Sequence, residues 1–246
     1  MDCGYYSDRN LFMHWIRLHV LSLVTVSLLV GYGIICYVRS VTSRLCRDAD
    51  DQILQRGSFL RDELSQQCDD IGLILALMTL LTLAVLCSQS GFSSQCMMII
   101  FMWFSIPMIV LDMRYFLLPD MLTFPLLWLG LLINIKGVFC SLDQAVVGVI
   151  VGYLILAIPA MLYRWCRGQD GMGRGDFKLL AAIGAWLGYQ SILAVVMMAC
   201  FLAILVGCAV LLYRRRWVNI ALPFGPFLLV GAWACFLFPQ LVRCCY

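Results

Sequence analysis

The feature that most constrains this chain is a continuous apolar stretch from Leu179 to Leu212. Its 34 residues contain no Asp, Glu, Lys or Arg. As a single α-helix it would be about 51 Å long, whereas the hydrocarbon core of a bilayer is about 30 Å thick. We therefore predict two short spans enclosed by neighbouring helices, with the turn between them at Gly188-Tyr189-Gln190-Ser191.

The composition indicates that most of the chain lies in a bilayer. Hydrophobic residues make up 63% of the 246 residues and charged residues 13%, whereas soluble domains are roughly half apolar and about a quarter charged. We predict an all-α polytopic integral membrane protein, a single membrane domain over residues 1–246, with about eight transmembrane helices. The predicted spans are 18–38, which we expect to be retained rather than cleaved as a signal peptide, 71–88, 95–111, 121–139, 143–163, 177–190, 191–212 and 219–240.

The basic residues fix an orientation for these spans. With the N-terminus outside, thirteen of the 17 Lys and Arg residues fall on the cytoplasmic side, in agreement with the positive-inside rule. The predicted loop 39–70, between the first two spans, is then cytoplasmic. The small net charge and the lack of a basic stripe argue against nucleic acid as a partner. No Cys-x-x-Cys pair occurs among the 13 cysteines, so we expect no metal site.

Two acids are predicted at one level of the membrane. Asp112 ends the third predicted span and Asp176 opens the sixth, and an ionisable group at that depth is a functional candidate. Each acid also has a structural alternative. Asp112 could form an ion pair with Arg114, and Asp176 could cap the sixth predicted span, a role that does not exclude a catalytic one. Asp120 is expected to cap the fourth span. Lys178 is expected to extend towards the membrane interface.

A pair of carboxylates suits aspartic proteolysis. At close range the two cannot both ionise easily, so they titrate as a unit. The ionised member takes a proton from water while the protonated member polarises a peptide carbonyl. By itself, a separation of 64 residues between Asp112 and Asp176 is only a weak indication of such a pair.

Two irregular segments lie near these acids. Gly171, Gly173 and Gly175 alternate, so an extended segment would present one side without side chains to a substrate backbone; a flexible loop is the alternative. The segment Pro223-Phe224-Gly225-Pro226 interrupts the start of the last span and is either a wall of the same cavity or a simple helix kink. Small residues over 181–188 favour close helix packing.

These segments resemble those of the bacterial type IV prepilin leader peptidases, membrane aspartic proteases of the Gly-x-Gly-Asp type. The matching stretches are GMGRGDFKLLAAIGAWLGYQ, DMRYFLLPD and ALPFGPFLLVGAW, in the family's order, within residues 98–235. YGIICYVRSVTSRL is a poor relative of the family's N-terminal motif, and the first third of the chain is divergent.

The resemblance implies a concrete activity. The family cleaves the basic leader of prepilins and pseudopilins at the cytoplasmic face of the bacterial inner membrane. Asp112 and Asp176 match its catalytic aspartates, and Gly173 and Gly175 match the glycines of the protease motif. We add Pro223, Gly225 and Pro226 as candidate substrate-binding residues. Proteolysis needs no cofactor.

N-methylation of the new N-terminus remains open from the sequence. Many members of the family methylate with S-adenosylmethionine, and those usually carry paired Cys-x-x-Cys motifs in the first cytoplasmic loop. Here that loop has only Cys46 and Cys68. The sequence does not define an oligomeric state.

Two other functions were weighed. A membrane transporter or proton relay could use Asp112 and Asp176, but it would favour acids spread over several spans and matching halves. The tripeptide Arg174-Gly175-Asp176 is an adhesion motif when it is extracellular, and the charge bias places it inside.

Overall fold

The structure, a computed structural model, describes residues 92–168, 172–214 and 222–240, with scattered helical positions between 25 and 36 and between 80 and 85. It divides the chain into two compact units, Met1–Gln89 and Ser90–Tyr246. The predicted loop 39–70 lies outside the described residues, as do most of the predicted spans 18–38 and 71–88. The count of eight spans and the single membrane domain therefore stay predictions.

The described residues of the second unit form six helices. They are α1 (Phe92–Tyr115), α2 (Asp120–Asn134), α3 (Leu142–Arg167), α4 (Arg174–Leu187), α5 (Tyr189–Arg214) and α6 (Gly225–Leu237). No strand occurs in the part of the chain that the structure describes. The predicted all-α class is confirmed, and each of the last six predicted spans corresponds to one helix.

Local sequence signals explain several helix ends. Ser141 caps α3, where its hydroxyl accepts from the Gln144 N–H while the Gln144 side chain accepts from the Ser141 N–H. Gly168 ends the same helix in the left-handed conformation. Gly188 separates α4 from α5 with φ of +77°, a value that disfavours any side chain. The predicted break of the long apolar stretch is therefore confirmed. Helix α4 is short and enclosed as predicted, but the prediction is wrong for α5, which has 26 residues and is mostly exposed, because it lies at the periphery of the bundle.

Side-chain contacts give the directions of the helices. Along α2, Asp120 meets Lys178 and Asn134 meets Trp186, so α2 and α4 run in the same direction. Along α3, Gly148 lies against Gly184 and Gly152 against Leu180, so α3 and α4 are antiparallel.

Helix α6 is antiparallel to α1. The Gly225 N–H meets Asp112, and about two turns of α1 further back Trp233 donates to the Ser105 hydroxyl. The Phe236 ring packs against Trp186, near the end of α4, so α6 runs parallel to α4. The end of α1 and the starts of α2, α4 and α6 therefore lie together, and we call this the Asp112 end of the bundle.

Helix α4 is the central element. Ten of its 14 residues are buried, and its length of about 21 Å is shorter than a bilayer core. At the end opposite to Asp112, the Asn134 amide donates to the carbonyls of Ala185 and Trp186 at 2.8 and 3.0 Å. The Trp186 ring donates to the Leu126 carbonyl and packs edge-on against Phe101. These contacts hold the C-terminal half of α4 firmly.

Glycines allow α3 and α4 to approach backbone to backbone. A Cβ on Gly148 would collide with the Gly184 carbonyl, and a Cβ on Gly184 with the Gly148 carbonyl. A Cβ on Gly152 would lie 2.7 Å from the Leu180 carbonyl oxygen. Close contact through small residues is the usual way in which membrane helices pack, and it confirms the packing expected for residues 181–188.

The outer faces of the bundle are apolar. Within the described residues, three helices are long and apolar enough to cross a membrane: Ser93–Tyr115, Leu142–Arg167 and Tyr189–Leu212. Asp120–Asn134 and Gly225–Leu237 are shorter apolar helices. Large exposed side chains such as Ile158, Trp165 and Phe201 lie on α3 and α5. Apolar surface of this extent suits contact with lipid rather than with water.

We predict that Gly184→Ala and Gly148→Ala destabilise the bundle, because the added methyl group has to push two backbones apart. Overpacking of this kind costs about 1–3 kcal/mol, which lowers the unfolding midpoint by roughly 2–10 °C. The measurement is thermal unfolding of the purified protein in detergent. Gly207→Ala is the matched control, because its Cβ would lie 3.5 Å from Leu222 in ordinary contact. Equal midpoints for all three variants would contradict the prediction.

Candidate active site

Asp112 lies in the last turn of α1 and is buried, with 5% of its surface exposed. The C-terminal end of a helix is unfavourable for a negative charge. The start of α6 compensates, since the Gly225 N–H, which has no partner within its own helix, donates to Asp112 Oδ2 at 3.0 Å. The carboxyl group of Asp112 is thus held by the N-terminus of another helix.

The segment Pro223–Pro226 marks the beginning of α6 rather than a kink inside a longer helix. Helix α6 starts at Gly225, and Pro226, which has no N–H, occupies the first turn where none is needed. Pro223 precedes the helix, so the two prolines bound the turn that presents the Gly225 N–H. A Cβ on Gly225 would lie 2.7 Å from Asp112 Oδ2. This close approach explains why the residue before Pro226 is a glycine.

Asp176 is the third residue of α4 and is 8% exposed. The expectation that it caps this helix is wrong, because the N-cap position is occupied by Gly173 and no side chain caps the helix. The side chain is instead buried in the bundle. Gly173 lies beside it, where a Cβ would be 3.6 Å from Asp176 Oδ2.

Leu118 connects the surroundings of the two acids. A Cβ on Gly175 would lie 2.8 Å from the Leu118 Cβ, and a Cβ on Gly225 would lie 3.3 Å from the Leu118 Cδ1. One leucine side chain therefore contacts the residue before Asp176 and the residue that binds Asp112. In agreement with this, the two carboxyl groups are close enough to interact electrostatically.

The alternating glycines do not form an extended edge. Helix α4 begins at Arg174, so Gly175 is helical, and only Gly173 has an extended conformation, with ψ of 137°. Gly171 lies outside the described residues. The interpretation of an extended glycine segment is therefore wrong for Gly175, whose small size serves the close contact with Leu118.

Asp120 and Lys178 form a contact that the sequence analysis missed. Asp120 was expected to cap α2, but Pro119 occupies the N-cap position and no side-chain cap is formed. The Lys178 ammonium instead donates to both carboxylate oxygens of Asp120, at 2.7 and 2.8 Å. The available signal was their place at the starts of two helices that run in the same direction.

The site therefore consists of two buried carboxyl groups at the Asp112 end, with backbone and apolar groups around them. Among the described residues, no group of three or more His, Cys, Asp or Glu side chains could hold a metal ion. The arrangement can carry out acid–base chemistry on a water molecule and a polarised carbonyl. It brings together Asp112, Asp176, Gly173, Gly175 and Gly225 of the predicted site residues, with Pro223 and Pro226 bounding the turn.

Comparison with known proteins shows that the part of the chain around the two acids matches a protein family. Residues 99–208 match the type IV leader peptidase family, and this segment contains both Asp112 and Asp176. The resemblance inferred from the motifs is thereby confirmed for that part of the chain. No solved structure matches the chain.

Curated relatives carry the name prepilin leader peptidase/N-methyltransferase. The protein of Aeromonas hydrophila is 42% identical over 135 residues, which is 55% of this chain and 47% of the relative. That of Stutzerimonas stutzeri is 38% identical over 157 residues, 63% of this chain and 54% of the relative. That of Pseudomonas aeruginosa is 39% identical over 147 residues, 59% of this chain and 51% of the relative. The chain thus spans about half the length of these relatives.

The environment of Asp112 predicts opposite stability effects for two substitutions. Asp112→Asn keeps an acceptor for the Gly225 N–H and removes one of two neighbouring acids, so we expect an unchanged or higher unfolding midpoint. Asp112→Leu leaves that N–H buried without its acceptor, which costs about 1–3 kcal/mol. Thermal unfolding in detergent measures both. A lower midpoint for Asp112→Asn than for Asp112→Leu would contradict this account of the hydrogen bond.

Proposed function

We propose that this chain is a membrane aspartic endopeptidase that removes the basic leader peptide from type IV prepilins or prepilin-like secretion proteins. The observation that carries the proposal is the pair of buried carboxyl groups, Asp112 and Asp176, held at one end of the bundle by contacts through Leu118 and Gly225. The match to the type IV leader peptidase family and the names of the relatives support it.

The proposed mechanism uses the two acids as one unit. Two neighbouring carboxyl groups in a buried site share a proton, because ionising both places like charges near each other away from bulk water. The ionised member removes a proton from the attacking water, and the protonated member donates to the carbonyl oxygen of the scissile peptide. Collapse of the tetrahedral intermediate then needs a proton on the leaving nitrogen, which the first carboxyl group returns.

The Gly225 N–H has a positioning role in this scheme. It binds Oδ2 of Asp112 and leaves Oδ1 for the water or the substrate carbonyl. Fixing one oxygen reduces the orientations that the carboxyl group can sample before reaction, which is a recognised source of rate enhancement. The turn Pro223–Pro226 presents this N–H beside the reacting groups. We therefore include it in the proposed substrate-binding surface, together with Gly173 and Gly175.

The active site is proposed to face the cytoplasm of a bacterial inner-membrane protein. Several helix ends that meet at the Asp112 end carry basic residues. They are Arg114 near the end of α1, Arg164 and Arg167 in the last turn of α3, and Arg174 and Lys178 at the start of α4. A surplus of Lys and Arg marks the cytoplasmic side. Prepilin leaders reach the membrane from that side, as the family resemblance implies.

N-methylation of the new N-terminus is a second proposal, carried by the names of the relatives. It would require S-adenosylmethionine as the methyl donor. The loop 39–70, where family members with this activity usually carry their cysteine motifs, lies outside the described residues. A transporter or proton relay gains no support from the family match or from the relatives.

We predict that Asp112→Asn and Asp176→Asn each abolish cleavage, because the unit needs both carboxyl groups. The measurement is processing of a prepilin with a basic leader by the purified protein in detergent. Asp143→Asn is the matched control, since Asp143 is an exposed acid in the first turn of α3, at the end of the bundle opposite to the site. It should cleave at the wild-type rate.

Each variant must accumulate in the membrane and unfold at a midpoint near that of the wild type before its activity is compared. Full cleavage by either single active-site variant would exclude the two-aspartate mechanism. The mass of the mature pilin, measured in the same reaction with S-adenosylmethionine, decides the second proposal. Methylation requires the added mass of one methyl group, and an unchanged mass limits the protein to proteolysis.

A pair of glycine substitutions tests the geometry of the site. Gly225→Ala should lower kcat by roughly tenfold to a hundredfold, because its methyl group displaces the Asp112 carboxyl group by a fraction of an ångström to an ångström. Gly173→Ala should have a much smaller effect on kcat, because its Cβ has ordinary contact distance, 3.6 Å, to Asp176. Equal losses from both variants would argue against a steric role for Gly225.

A further inference from the structure

We propose that Lys178 and Asp120 form a positioning pair that sets Asp176 against Asp112. The inference rests on the proposed peptidase activity for its readout and adds two residues that the mechanism above does not use. Neither side chain contacts the reacting groups in this scheme. Their effect is on the placement of the first turn of α4, which carries Asp176.

The geometry of the pair is specific. The Lys178 ammonium lies 2.7 and 2.8 Å from the two oxygens of Asp120, and it also lies over the Phe124 ring at 5.3 Å from the centroid. Phe124 follows Asp120 by one turn of α2, so both partners belong to one face of that helix. A carboxylate and an aromatic ring thus define the position of a side chain that is otherwise flexible.

The pair closes a loop that includes both acids. The connection from α1 to α2 begins just after Asp112 and ends at Asp120. Within it, Leu118 lies against Gly175, the residue before Asp176. Lys178 follows Asp176 by two residues. Asp176 is therefore bracketed by two contacts with the same short connection, one apolar and one ionic, and the other end of that connection is fixed to Asp112.

The rest of α4 is held elsewhere. Its described hydrogen bonds to α2, made by Asn134 and Trp186, lie at the opposite end of the helix. Its closest backbone approach to α3 is at Gly184. At the Asp112 end, the ionic contact between Lys178 and Asp120 joins α4 to α2. This pair therefore lies at the turn in which a small displacement changes the separation of the two acids.

The conformation of the connection supports this role. Phe116 has φ of +53°, a left-handed conformation that a bulky non-glycine residue adopts at a cost. Such a conformation persists where its surroundings fix the backbone on both sides. Asp112 and its bond to Gly225 fix one side, and the pair of Asp120 with Lys178 fixes the other.

The strength of the pair alone would not explain its presence. The Lys178 and Asp120 side chains are 33% and 53% exposed, and ion pairs of such exposure contribute little to folding stability. A role in placement predicts a different result from a role in stability. Loss of the pair should change kcat strongly and the unfolding midpoint only slightly.

The test is a double-mutant cycle with Lys178→Met, Asp120→Asn and the combination of both. Misplacement of reacting groups by about an ångström can lower a rate by about a hundredfold, and we expect each single variant to lose roughly tenfold in kcat with KM nearly unchanged. Because both substitutions break one contact, the double variant should lose no more than either single variant. Lys178→Arg, which keeps the charge and can bind both Asp120 oxygens through two N–H groups of the guanidinium, should restore most of kcat.

Lys136→Met and Asp143→Asn serve as controls for loss of charge, since both residues are exposed and lie at the opposite end of the bundle. Unfolding midpoints in detergent are measured for every variant. Multiplicative losses in the double variant, or unchanged kcat in both single variants, would overturn the proposal, as would losses that follow the unfolding midpoint.

These outcomes are distinct from a failure of the proposed function. If the wild type cleaves a prepilin and the Asp112→Asn and Asp176→Asn variants do not, the function holds whatever the pair does. If the wild type does not cleave any prepilin with a basic leader, the proposed function fails and the positioning role fails with it.

Discussion

The enclosure of helix α4 is the constraint on which the rest of this structure depends. The helix has 14 residues and is too short to cross a bilayer core of about 30 Å by itself. Its backbone ends therefore lie at membrane depth, where unpaired polar groups are tolerated only if protein encloses them. Helices α2, α3 and α6 provide that enclosure, and the exposed apolar faces of α3 and α5 remain for the lipid.

The same enclosure explains why the candidate active site lies at the ends of helices. A helix that ends inside the protein brings its N–H groups and its first-turn side chains into a protected space. Here the starts of α4 and α6 meet the last turn of α1, and each contributes one part: Asp176, the Gly225 N–H and Asp112. Glycines at 175 and 225 permit the approach because a Cβ at either position would collide with its neighbour. The site is thus assembled from helix ends, which explains why no single segment contains it.

Much of this arrangement was predictable from the sequence. The break of the long apolar stretch followed from its length relative to a bilayer, and the structure has it at Gly188. The choice of Asp112 and Asp176 followed from their place at the ends of predicted spans, and the structure places both acids, buried, at one end of the bundle. The small residues over 181–188 predicted close packing, which Gly184 shows against Gly148. These inferences rest on properties of a single segment, or on the fact that successive spans cross the membrane in opposite directions.

The wrong predictions share a physical cause. Asp120 and Asp176 have the local pattern of helix caps, but the N-cap positions are occupied by Pro119 and Gly173. The Asp120 carboxylate binds Lys178 of α4, and the Asp176 side chain is buried in the bundle. The alternating glycines suggested an extended edge, yet Gly175 is helical and is small because of Leu118. The expectation that Lys178 extends towards the membrane interface stays a prediction, to which the structure adds its partner, Asp120. In each wrong prediction a tertiary contact outweighs the local preference, and the sequence pattern around the residue does not contain that contact.

The sequence by itself determined that the chain is an all-α membrane protein, where the six described helices of its second unit lie, and which two acids lie at one end of the bundle. It did so because hydrophobicity, helix length and charge bias are properties of the chain read along its length. Only the tertiary structure decided how the acids are held: by the N–H of Gly225, by the wedge of Leu118, and by the pair of Lys178 with Asp120. Those contacts join residues 57 to 113 positions apart, and their partners are fixed by the packing of whole helices around α4.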